Sequence, residues 1–257
     1  MKTKKTLFIL AGVIILFLSE ATGQVNQRDE QGRRQGAWQG TFPDGSIRYR
    51  GQFVDDQPVG TFIYFNNDGR VRAELVHQSG IDTVYAVFFH RNRSRSATGQ
   101  FLNRQRVGKW TLYSELGVKL SETNYRNDLP HGTSTMFFNS GVPAETVQYS
   151  EGKKHGEWKQ YFENGQVRLE AYYQNGLLSG AFKVFYESGN PLLTAQYLEN
   201  LPHLVWKYYT DNGDLIRERH YEKGRLEKET VYIEQEIDPA IPLQPGSDPI
   251  LEMIRSF

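Results

Sequence analysis

The sequence predicts an all-β chain: an elongated single-layer antiparallel sheet, a meander of β-hairpin repeats in eight units of 24 residues. Three observations carry this expectation. The units begin at Gly36, Gly60, Val84, Gly108, Gly132, Gly156, Gly180 and Leu204, with no insertion or deletion between them. Nine positions further on stand Gly45, Gly69, Arg93, Gly117, Gly141, Gly165, Gly189 and Gly213. Between these markers lie two runs rich in aromatic and branched residues, and none has a helical period. An unbroken register of this kind is what a stack of identical units produces, because a shifted unit loses its neighbours on both sides.

The elements follow in order. In the unit that starts at Gly156, Glu163-Asn164-Gly165 separates two strand-like runs, a hairpin signal because such a turn needs a residue at positive φ. A second turn follows each second strand, as at Asn127-Asp128, Glu151-Gly152 and Asn175-Gly176. Alternation then sorts side chains to two faces. One column of first-strand rings is Trp38, Phe62, Trp110, Trp158, Phe182 and Trp206, interrupted by Ala86 and Ser134. A column pointing the opposite way is Phe65, Phe89, Tyr113, Phe137, Tyr161, Phe185 and Tyr209. Second strands contribute Phe53, Phe101, Tyr125, Tyr149, Tyr173, Tyr197 and Tyr221, with His77 the one break. Interleaved positions are polar; Glu74, Thr98, Glu122, Thr146, Glu170, Thr194 and Glu218 alternate in a way that keeps like charges two repeats apart.

The flanks differ. Lys2, Lys4 and Lys5 precede an apolar run from Leu7 to Leu18, and Ala21-Thr22-Gly23 supplies small residues, so residues 1–23 are expected to be a signal peptide cleaved before Gln24. The run is short for a membrane span, which needs about 20 apolar residues. Residues 24–35 are expected to be loose, residues 36–232 to form the repeat domain, and residues 233–257, with Pro239, Pro242, Pro245 and Pro249, to be a tail or cap.

The chain has 30 basic and 30 acidic residues; without residues 1–23 it has 27 and 29, a net charge of −2. That balance argues against a nucleic-acid partner. With no cysteine there is no lipid anchor or disulfide. Export without disulfides points to the periplasm or exterior of a Gram-negative cell.

The repeating residues resemble the MORN (membrane occupation and recognition nexus) repeat, in its bacterial 24-residue variant. Gly156, Trp158, Tyr161, Gly165, Glu170, Tyr173 and Gly176 match that pattern position by position, as do Gly108, Trp110, Tyr113, Gly117, Glu122 and Tyr125. The resemblance covers residues 36 to about 227; the unit at 84–107 departs most. It implies a platform for proteins or membrane lipids, often dimeric, and many bacterial members are described as antitoxin-like. The expected signal peptide counts against a cytoplasmic antitoxin.

No catalytic motif stands out, and no cofactor or metal is expected: His131, His155 and His203 occupy equivalent positions that lie about 10 Å apart in adjacent units, too far for one ion. The expected function is therefore non-enzymatic: an exported scaffold binding a protein or glycan partner through Phe65, Phe89, Tyr113, Phe137, Tyr161, Phe185 and Tyr209. The basic turn His90 to Arg95 makes Arg91, Arg93 and Arg95 candidate contacts for an anion at a membrane surface. The alternatives are a lipid-associated module, an antitoxin-like neutralising protein, and an enzyme acting on cell-wall material.

Overall fold

The computed structural model describes residues 24–78 and 80–234. The expected signal peptide and all of the tail from residue 235 lie outside the described residues. Eighteen strands follow one another: β1 (Gln27–Arg28), β2 (Arg34–Thr41), β3 (Ile47–Val54), β4 (Gln57–Phe65), β5 (Val71–His77), β6 (Thr83–Phe89), β7 (Arg95–Leu102), β8 (Gln105–Tyr113) and β9 (Lys119–Arg126). They continue as β10 (Leu129–Phe137), β11 (Pro143–Ser150), β12 (Lys153–Tyr161), β13 (Val167–Gln174), β14 (Leu177–Phe185), β15 (Pro191–Leu198), β16 (Leu201–Tyr209), β17 (Leu215–Glu222) and β18 (Arg225–Val231). Each pairs antiparallel with its neighbours in sequence, and among the described residues β1 and β18 pair on one side only, so the described sheet is open. The eight units are the hairpins β2–β3 to β16–β17, and no helix occurs among the described residues.

Two kinds of turn alternate. Between units, two residues in succession are left-handed: Asn103 and Arg104 at φ 50° and 67°, Asn127 and Asp128 at 50° and 66°. Such primed turns match the right-handed twist of the strands they join. Within a unit, Gly165 at φ 86° donates to Phe162 O at 2.9 Å, and Asn164 Oδ1 accepts from Gln166 N at 2.8 Å. Short side-chain acceptors and a glycine are what this loop demands. In the unit that begins at Val84, Arg93 takes the glycine's place at φ 69°.

The glycine that opens each unit has a separate job. Between the pairs Tyr149–Lys154 and Val147–Trp158, β12 holds two more residues than β11, and Gly156 within that bulge has φ 106°. The same irregularity recurs in β4, β8, β10 and β16, and at the last of these Leu204 adopts φ 58° in the glycine's position. Strand β6, with Val84, pairs with β5 without any register shift.

The core lies on one face. Trp158, Phe182, Tyr197, Trp206 and Tyr208 are all buried there, although no second layer of strands or helices among the described residues covers them. Rings from first and second strands interleave: Phe182–Tyr197, Tyr197–Trp206 and Trp206–Tyr221 have centroids 5.2, 5.1 and 4.9 Å apart. Two of the core rings also fold over a glycine of the adjoining strand. A Cβ added to Gly99 would fall inside van der Waals contact of the Trp110 indole, and one on Gly51 would strike Phe62. Large over small is how a single sheet shields its apolar surface from water.

The amino-terminal segment departs from expectation. Residues 24–35 are not wholly loose: β1 pairs Gln27 with Gln35 and Arg28 with Arg34. Asp29 organises the turn, its Oδ1 accepting from the backbone of Gln31 and Arg33 at 3.0 and 2.9 Å. Asn26 then caps the outer edge of β2, donating to Ala37 O and accepting from Gln39 N.

Candidate partner-binding surface

Opposite the core runs a polar row through successive register partners, including Thr146, Lys159, Glu170, Lys183, Thr194, Lys207 and Glu218. Lys207 meets Glu218 at 3.2 Å, and Lys119 and Lys109 meet Glu122 at 3.1 and 3.3 Å. Partial burial works against charge on Glu122, but hydrogen bonds from Lys119 and Lys109 win and hold its carboxyl below the ordinary range. The hydrogen bond from Lys207 lowers Glu218 in the same direction.

The seven rings predicted to form a partner surface border this row, and all seven are half-buried. Tyr161 OH lies 3.4 Å from Thr146 Oγ1, Lys119 Nζ sits 4.3 Å from the Phe137 ring, and Arg50 approaches Phe65 at 5.9 Å. They form a line of rings spaced by charged and hydroxyl groups. Phe65 and Phe89 also border two hollows, which are lined mostly by residues of the core side.

Arg91, Arg93 and Arg95 are exposed on the turn between β6 and β7. The turn itself is tied to the next one: His90 Nε2 contacts Tyr113 O at 2.9 Å, and Asn92 Nδ2 donates to Glu115 O at 2.8 Å. Similar links join later turns, as where Tyr186 OH donates to Tyr209 O at 2.8 Å. The basic cluster is thus carried on an anchored turn. The column of His131, His155 and His203 remains at the starts of β10, β12 and β16, and no group of three metal-ligating side chains gathers among the described residues.

The larger hollow was not foreseen. It measures 540 Å³ and is lined by residues of β5 to β9, among them Arg72, Phe88, Arg106, Trp110, Ser121 and Thr123. Its origin is a change of residue size. The register row that reads Leu169, Val184, Leu193, Tyr208 in the later units reads Ala73, Phe88, Ala97, Leu112, Ser121 here. The sequence held a signal for it in Ala86 and Ser134, the two interruptions of the first-strand ring column that lie on either side of Trp110.

The family model described as the MORN repeat variant matches residues 154–175 and 202–223, which is consistent with a MORN-repeat protein. No curated protein matches it. TarM from S. aureus, in a complex with fondaparinux, alpha-GlcNAc-glycerol and UDP, aligns at 15% identity with a TM-score of 0.29, over 37% of this chain and 19% of that one. A Photorhabdus luminescens Tc holotoxin pore aligns at 10% identity and a TM-score of 0.21, over 79% of this chain and 13% of its own. A porin-like protein from Bacteroides uniformis gives 12% identity and a TM-score of 0.18, over 71% of this chain and 92% of its own. This chain spans about a fifth of TarM's length, and likenesses this weak bear no weight for function.

Proposed function

We propose that this MORN-repeat chain is an exported, non-enzymatic scaffold of the cell envelope, binding a protein or glycan partner along the half-buried rings Tyr113, Phe137, Tyr161, Phe185 and Tyr209. The observation that carries the reading is the contrast between faces. One face closes over its own rings, while the other leaves a regular line of half-open aromatics between charges and hydroxyls. Rings that keep exposed area in a polar frame are the usual anchors of a recognition surface. Export rests on the amino-terminal lysines and apolar run, and N-terminal sequencing of the protein from a periplasmic fraction should begin at Gln24.

Binding is tested by replacing Phe137 and Tyr161 with Ser and repeating affinity capture from envelope extract. The variant should keep its β-type circular dichroism and lose the captured partner. Retention of that partner overturns the assigned face. In a second arm, deleting residues 156–203 removes two whole units in register, so the shortened chain should still fold.

A further inference from the structure

We propose that the hollow beside Trp110 binds an acidic sugar, a hexuronic acid within an oligosaccharide. This inference stands apart from the partner surface above, since the hollow is lined chiefly by residues of the core side. Its volume of 540 Å³ falls within the span of small-ligand sites. Three kinds of group converge on it. Trp110 and Phe88, with ring centroids 6.1 Å apart, offer the flat apolar area on which the C–H face of a pyranose stacks. Ser121 and Thr123 present hydroxyls along the floor. Thr123 is bonded to Ser134 at 2.6 Å, whereas Ser121, only 1% exposed, has no side-chain hydrogen bond to another described residue.

The third kind is cationic. Arg72 and Arg106 both line the hollow, which includes no acidic residue. Arg106 is held in place by Asp128 at 3.0 Å and by the Tyr125 ring at 4.3 Å. Arg72 has no ion pair among the described residues, so its guanidinium fork is available to a carboxylate in two-point geometry. Two guanidinium groups argue against a neutral lipid, because covering them with hydrocarbon would strip their water without return. Hydroxyls on the floor suit a polyol ring better than a planar arene.

The test uses the full chain and a galacturonic acid trisaccharide, with the matching neutral galactose trisaccharide and AMP as comparators. Calorimetry and tryptophan fluorescence are the readouts, with W110F checking the origin of the optical signal. The acidic trisaccharide should bind saturably and at least about tenfold more tightly than the neutral one. R72Q should lose about tenfold in affinity. S121L, which restores the bulk found in later units, should abolish binding while leaving the melting temperature unchanged or higher. Equal affinity for the two trisaccharides, tighter binding of AMP, undiminished binding by S121L, or no binding at about 10 mM would each overturn the assignment. Replacing Phe137 and Tyr161 with Ser should leave sugar binding intact, so failure here and failure of the partner surface are separable.

Discussion

The third and fourth units, residues 84–131, and the sixth to eighth, residues 156–227, share one template and differ in how they fill it. In the later units Trp158, Phe182, Trp206 and their second-strand partners make one continuous cluster with Leu169, Val184 and Leu193. In the earlier pair the buried cluster shrinks to Ala86, Trp110 and Tyr125, with partly buried rings around it. The polar residues Ser96, Thr98, Thr111, Ser121 and Thr123 are buried in the same region. Where the repeat obeys its pattern it makes scaffold; where it deviates it makes space. The deviations, not the repeats, are where a specific ligand has somewhere to go.

This contrast can be broken from the strong side first. Phe182 is 1% exposed at the centre of the continuous cluster, so Phe182→Ala should cost about 3–5 kcal/mol in denaturant unfolding. Phe101→Ala in the weaker region, where the ring is only partly buried, should cost clearly less. Equal losses would mean the two regions are packed alike. Next comes Gly99→Ala, whose new methyl must displace the Trp110 ring, for a loss of roughly 1–3 kcal/mol and a shifted tryptophan emission.

Smaller effects sharpen the comparison. Leu204 is half-exposed at φ 58°, so Leu204→Gly relieves the left-handed penalty and should stabilise by about 1 kcal/mol. A destabilised variant would show that its side chain matters more than its backbone. His77 interrupts the second-strand ring column, lies 5.2 Å from the Phe62 ring, and is driven below its usual pKa by burial. Its folded form therefore prefers to be neutral, and the stability linked to it is complete above the unfolded-state pKa of about 6.5 and declines as pH falls below it. His77→Tyr should flatten the stability profile below about pH 6.5 and raise stability at the acid end. An unchanged profile would place the titration elsewhere.

Much of the fold was legible because its signals are local. Glycines at positive φ and alternating rings act within a few residues, so the hairpins and the two faces could be read from single units. The bulge at each opening glycine was not, since it exists only in the pairing of one unit with the one before it: Gly156 matters through β11. The hollow was hidden for the same reason. Ala97 and Ser121 look unremarkable along the chain and become a cavity only when register sets them on either side of Leu112. At the amino end, Asp29 and Asn26 supply hydrogen bonds that composition alone reads as looseness.

Strand β1 lies at one lateral border of the described sheet and β18 at the other, with every hairpin in between bonded to the next. A stretching force applied to β1 and β18 therefore pulls across the strands and peels them rather than shearing them. Each unit released would pay out a tether of about 80 Å, taking roughly 3.3 Å per extended residue. Held between two surfaces, such a protein would lengthen in even steps, the sparsely filled units yielding before the well-filled ones.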